Sequence, residues 1–217
     1  MAAPVVPAFR PNGSVRCMVN VAPEDINFAE MAEALSKIAR FNGWPSGPAY
    51  SVAQHSVMGA AAIVRETGNE QLGAYFLLHD GHEYLIGDTT RPFQDLLAHE
   101  IAAQAGSASD AVHFARAFRG AFAAIKRRID LAIWQAAGLP RLDRLPDEAR
   151  MVKAMDDRML RAEGLALFGP QAAKHLPAAN LPAPRLTGAI RAWGPMKAEG
   201  EFLKALNLYR GIEARAA

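Results

Sequence analysis

The stretch Tyr75-Phe-Leu-Leu-His-Asp-Gly-His-Glu-Tyr-Leu-Ile-Gly-Asp88 leads four apolar residues into a group of ionisable ones. His79 and Asp80 are adjacent, Glu83 follows three places after Asp80, and Asp88 stands just beyond Gly87. The apolar run belongs in a core. Ionisable groups at its end are costly to bury unless a metal or partner charges compensate them. His55 and Asp156, from other segments, complete a set of two imidazoles and two carboxylates, with Asp157 a neighbouring rival for the last place. That donor set suits one borderline divalent ion: Mn, Co, Fe, Ni or Zn.

The spacing puts Asp80 and Glu83 on one helical face. Glu83 can then reach water or substrate beside the ion without ligating it, and Asp88 can enter from the rim. A metal next to a carboxylate activates water, because binding brings its pKa toward ~7. Phosphate-monoester hydrolysis needs such help, with enzymic accelerations up to ~10²¹. Charge stabilisation by metal and arginine meets that barrier. Arg40, just before the loop that leads to His55, is the candidate phosphate contact.

The elements that must position these groups read as helices. Pro23, Glu24 and Asp25 suit a helix start, and Ile26, Met31, Leu35 and Ile38 carry the period to about Arg40. Residues 41–50 hold two glycines and two prolines and form a loop. Ser51 caps a helix over about 52–67, whose small residues Gly59 to Ala62 admit a close neighbour; Gly68 ends it. A third helix is expected over 70–86, bearing the ionisable stretch. Further helices are expected from Pro92 to about Ala105, from Asp110 to about Ala137, and from Pro146 to about Phe168. The Phe114, Phe118, Phe122 stripe reads as core or as an oligomer face. Residues 169–195 hold five prolines and read as a loop. A last helix spans 195–216. Residues 1–22 read as an extended arm, with a short strand at Val15 to Cys17. The expectation is an all-α, single-domain helical bundle covering 1–217.

Arg40-Phe-Asn-Gly, Tyr50-Ser-Val-Ala-Gln-His-Ser56, Leu78-His-Asp-Gly-His-Glu83, Gly87-Asp88 and Val152-Lys-Ala-Met-Asp156 together resemble the HD-domain metal-dependent phosphohydrolases. More narrowly they resemble the 5'-deoxynucleotidase (YfbR-like) branch and its phage relatives, over about residues 24–165. Ala192-Trp-Gly-Pro and Glu201-Phe-Leu extend the likeness more weakly. The resemblance implies that His55, His79, Asp80 and Asp156 hold the metal, that Glu83 and Asp88 serve catalysis, and that Arg40 contacts phosphate. In that branch a tryptophan usually follows the arginine and crowds the ribose 2'-position. Here the position is Phe41, with Trp44 three residues further on, which puts selectivity for deoxynucleotides in question.

The implied activity is removal of phosphate from (deoxy)nucleoside 5'-monophosphates. The rival activities are release of triphosphate from deoxynucleoside triphosphates, with Arg91 and Lys153 as extra cations, and non-catalytic binding of a nucleotide or partner. His79-Asp-Gly-His82-Glu83 reads His-x-x-His-Glu, which fits neither order of the zinc-protease motifs, so His82 is expected to support the site or the fold.

Composition narrows the partners. Lys and Arg number 24 against 22 acids, a net +2, too little to argue for a stable nucleic-acid partner. No stretch approaches the ~18 apolar residues of a membrane span. Cys17 is the single cysteine, so no internal disulfide forms and a cytoplasmic setting is expected. No leader peptide is read at the start of the chain. A homo-oligomer is expected from the resemblance and the apolar stripes.

Overall fold

Helices make up nearly all the regular structure over residues 5–214, the residues that the computed structural model describes. The start of the expected arm lies outside them, and so do residues 215 and 216 of the expected 195–216 helix. That helix ends earlier than expected, at Arg210, where Gly211 turns left-handed at φ 64°. What is described of the arm is a hairpin. β1 (Pro7–Phe9) pairs antiparallel with β2 (Val15–Cys17), Phe9 opposite Val15. Its turn uses Gly13 at φ 80°, and the Asn12 side chain accepts from the Ser14 N–H at 3.0 Å.

The first helix begins later than Pro23. Residues Pro23–Asp25 form a separate 3-10 turn, and the Asn27 side chain then caps α1 (Phe28–Lys37) by accepting from the N–H groups of Ala29 and Glu30. α1 stops at Lys37 because Ile38 turns extended. The Ile38 carbonyl accepts from the Val52 N–H (3.0 Å), and the Arg40 N–H donates to the Tyr50 carbonyl (2.9 Å). Those bonds close the 41–50 loop and bring Arg40 beside the start of α2 (Val52–Thr67).

α2 lies unusually close to α3 (Glu70–Leu78). A Cβ built on Gly59 would stand 2.0 Å from the Phe76 ring, and one on Gly73 would stand 2.4 Å from Val64 Cγ2. Gly59→Ala would gain about 1 kcal/mol of helix propensity. Overpacking outweighs this, so a net loss of about 1–3 kcal/mol is expected in a denaturant titration.

The expected 70–86 helix is broken. α3 ends at Leu78, residues 79–82 form a tight turn, and a short α4 (Glu83–Ile86) follows. The N–H groups of His79, Gly81 and Glu83 donate to the carbonyls of Phe76, Leu78 and Asp80, so the ladder has tightened to i→i+3. Asp80 and Glu83 therefore flank a turn and do not share a regular helical face.

α5 (Arg91–Ala103) and α6 (Ala108–Ala136) form an antiparallel hairpin. α6 begins at a cap on Ser107, whose hydroxyl accepts from the Asp110 N–H. Its first half leaves Val112 and Phe114 exposed, and Phe118 stacks on Phe122; only from Ile129 onward does it enter the core. α7 (Pro146–Phe168) and α8 (Pro195–Arg210) complete the bundle. Met31, Leu35, Ile63, Phe76, Leu77, Ile133, Met155, Met159, Phe202 and Leu206 meet in one core, drawn from α1, α2, α3, α6, α7 and α8. The architecture is all-α and single-domain, with the hairpin as its small β element. No helix among the described residues is long and apolar enough to cross a membrane.

The Pro-rich 169–195 segment carries a 3-10 turn at Pro170–His175 and is tied down twice. Buried Gln54 donates to the Arg191 carbonyl and accepts from the Trp193 N–H, both at 2.8 Å. Glu66 accepts from both Arg158 terminal nitrogens (2.7 and 2.8 Å) and from the Arg185 N–H (2.9 Å). The Arg158 hydrogen bonds hold the Glu66 carboxyl below its usual pKa, against the effect of burial. A carboxylate with a lowered folded pKa stabilises above its unfolded pKa and loses that effect as pH falls through the folded one. Glu66→Gln is thus expected to cost about 1–2 kcal/mol at pH 7. The gap in Tm from the wild type should close toward pH 3.

Candidate metal centre

His55 sits one turn into α2, fully buried, where the Ser51 cap fixes the helix start. His79 ends α3, Asp80 lies in the turn after it, and Asp156 projects from α7. The structure brings all four together. The Nε2 atoms of His55 and His79 are 3.4 Å apart. Asp80 Oδ2 is 3.1 Å from His79 Nε2 and 3.8 Å from His55 Nε2. Asp156 Oδ1 is 3.5 Å from His55 Nε2 and 3.7 Å from His79 Nε2. Ligand bonds of about 2.1 Å in a tetrahedron put donor atoms about 3.4 Å apart. His55, His79 and Asp80 offer ligand atoms all within 4.8 Å of one another, a group that could hold one cation, and Asp156 reaches both imidazoles from the other side. Asp157 is not a member: its one ion pair among the described residues is with Lys153, at 2.6 Å, whereas Asp156 reaches both imidazoles as well as Lys153.

The ring tautomers agree with that fit. His79 Nδ1 is 2.6 Å from the Phe76 carbonyl, which only accepts, so Nδ1 carries the proton and Nε2 offers a lone pair. His55 Nδ1 donates in the same way to Glu163 Oε1 at 2.6 Å. The two carboxylates call for a balancing positive charge, from a proton on His79 or from a cation. Burial opposes charge on His79, yet Asp80 and Asp156 raise its pKa well above the usual imidazole value. Burial likewise opposes charge on the carboxyls. His79 beside Asp80, with His55 and Arg40, pulls Asp80 well below the carboxylate range, and His79 also lowers Asp156. A divalent ion would displace that proton.

Arg40 is a site residue and not a surface charge. Its Nε donates to Glu163 Oε2 at 3.1 Å, and Nη1 lies 3.5 Å from Asp80 Oδ2. Phe41 and Asn42 follow it with φ of 55° and 53°, and Gly43 with 70°. Three successive left-handed residues are uncommon, and a Phe there is a strained one. The turn sets the Phe41 ring edge-on to Phe168 (5.3 Å between centroids), with the Arg40 guanidinium 5.5 Å from it. Trp44 does not take the place of a pocket wall; it is 78% exposed. Of the extra cations, Lys153 is committed to Asp156 and Asp157, and Arg91 is exposed.

Glu83 is buried beside this group. Burial, then the charges of Asp80 and Asp88, push its carboxyl up to about 9. Asp88 is half-buried, and burial and Asp80 also raise its pKa, opposed by Arg40. Both therefore face the electrostatic field of the centre. The His82 ring is fixed from behind: Nδ1 lies 2.9 Å from Asp130 Oδ1 on α6.

Glu163 was not anticipated. It is fully buried and takes hydrogen bonds from His55, Arg40 and the Tyr50 hydroxyl (2.9 Å). The signal that could have found it is its spacing: seven residues after Asp156 is two turns of α7, the same face. Burial alone would raise its pKa, but Arg40 and His55 hold it ionised. Partners that orient ligating histidines are worth 10–100-fold in metal affinity. Glu163→Gln keeps the shape and removes the charge. It is expected to weaken Mn²⁺ binding by roughly tenfold or more in a calorimetric titration.

No protein-family model matches the chain. A segment of 80 residues, 35% of this chain, is 36% identical to an uncharacterized protein of Rhodobacter capsulatus. The match spans 40% of that protein, less than half its length.

Proposed function

We propose that the chain is a divalent-metal-dependent phosphohydrolase of the HD-domain type. Its substrate on this reading is a nucleoside 5'-monophosphate, deoxynucleotides preferred. The observation that carries the reading is that the two Nε2 atoms lie 3.4 Å apart and each lies 3.1–3.8 Å from an oxygen of Asp80 and of Asp156, beside the guanidinium of Arg40.

When bound, the ion supplies Lewis-acid polarisation of a phosphoryl oxygen and a water of lowered pKa. His55, His79, Asp80 and Asp156 would hold it. Arg40, oriented by Glu163, neutralises charge that develops on the phosphate. Glu83 and Asp88 flank the reacting group, where one orients the attacking water and the other hands a proton to the leaving 5'-oxygen. Phe41, braced by Phe168, shapes the sugar pocket. The small-molecule partner is the nucleotide, and the reading includes no membrane or stable nucleic-acid partner. The exposed apolar residues of α5 and α6 fit a homo-oligomer.

The test is a panel of dNMPs, NMPs and dNTPs with Mn, Co, Mg and Zn, read by phosphate colorimetry and product chromatography. Inorganic phosphate from monophosphates supports the reading. Intact triphosphate from dNTPs replaces it with the triphosphohydrolase alternative, and no turnover of any substrate rejects both.

A further inference from the structure

The tight turn after α3 brings together a second group of donors. Ligand atoms of Asp80, His82 and Glu83 lie within 4.8 Å of one another, and all three residues have at least one face turned from solvent. Two observations set this group apart from an ordinary acidic cluster. Glu83 is only 7% exposed, yet its Oε2 has no hydrogen-bond partner among the described residues. A buried carboxyl oxygen without a partner is costly, and a cation taking the place of the carboxyl proton would satisfy it. His82 is 2% exposed, and its Nδ1 is fixed by the Asp130 carboxylate at 2.9 Å, leaving Nε2 as the ring's remaining ligand atom. A carboxylate behind a histidine is the usual support of a metal-binding ring.

We infer that Asp80, His82 and Glu83 form a second, weaker site for a divalent cation, sharing Asp80 with the first centre. Asp80 Oδ2 is engaged by His79 and Arg40, so Oδ1 is the oxygen left to serve it. Two carboxylates and one imidazole suit Mn²⁺ among the transition ions. The site is the weaker because it has three protein donors against four, and because two dications sharing one carboxylate repel each other. Its filling would hold Glu83 as a ligand and withdraw it from the substrate. Turnover should accordingly rise with metal and then fall when metal is in excess.

This rests on the metal reading of the first centre, and the experiment separates the two. Metal-free protein is titrated with Mn²⁺, and free ion is counted by its solution EPR signal. The wild type is expected to take one tight ion and a second at least roughly tenfold weaker. Glu83→Gln should lose the weak ion and keep the tight one. Asp130→Asn, which loosens His82 and leaves Glu83 in place, should weaken the second ion only. Loss of the tight ion in Asp156→Ala concerns the first centre alone. A single ion per chain at saturation in the wild type overturns the second site. So does a weak ion whose affinity is unchanged in both Glu83→Gln and Asp130→Asn.

Discussion

Asp156→Ala is expected to release the tightly bound ion and to lower phosphate release by roughly a thousandfold or more. The side chain comes from α7, far in sequence from the two imidazoles, yet its Oδ1 lies 3.5 and 3.7 Å from their Nε2 atoms. It closes the donor set. A catalytic ion supplies several kcal/mol of charge stabilisation, and each 1.36 kcal/mol is tenfold in rate. The fold should survive, because the Asp156 side chain is 25% exposed and its removal opens no sealed cavity. Asp157→Ala is the control. That neighbour faces Lys153, so the variant should keep both ion and activity. Metal content after dialysis, beside kcat, checks the pair. Equal losses in the two variants would mean that α7 is registered differently.

Glu83→Gln is expected to slow turnover by ~10²–10⁴, the usual size of an acid–base contribution. The loss should fall on kcat more than on KM, since Glu83 acts on the reacting group and Arg40 retains its hold on phosphate. Metal should be kept below the level that fills the weaker site. The substitution replaces a buried carboxyl whose Oε2 lacks a donor, so Tm should hold or rise. A slower enzyme that is no less stable is the signature of a functional group. If the chain were a binding module without catalysis, the same variant would behave as the wild type does.

How much of this could be read from the text depended on where the determining contacts lay. α2 and α7 are bounded by local chemistry: Ser51 and Gly68 for one, Pro146 and Gly169 for the other. They fall where expected. The break after Leu78 was hidden, because Tyr75 to Leu78 and Tyr84 to Ile86 keep one apolar period across it. The turn packs against a segment distant in sequence: a Cβ on Gly81 would stand 3.0 Å from Ile133 Cδ1 of α6. Asn27 was passed over because Pro23 already looked like a start, and the side chain that captures two N–H groups decided the matter.

The candidate site divides along the same line. Its four candidate metal donors are legible as residue types and through the resemblance to the HD-type motifs. Glu163 is not, because a glutamate in a charged helix reads as solvated. Only the arrival of Tyr50, His55 and Arg40 from other segments makes it a buried acceptor. The left-handed turn at Phe41 is likewise invisible in the sequence, since nothing local favours positive φ for a phenylalanine.

Diffraction from crystals grown with Mn²⁺, recorded at the manganese absorption edge, tests the central claim most directly. The account predicts a strong anomalous peak about 2.0–2.2 Å from His55 Nε2, His79 Nε2, Asp80 and Asp156. An empty space between those four side chains, or Asp156 turned away from both imidazoles, would contradict it.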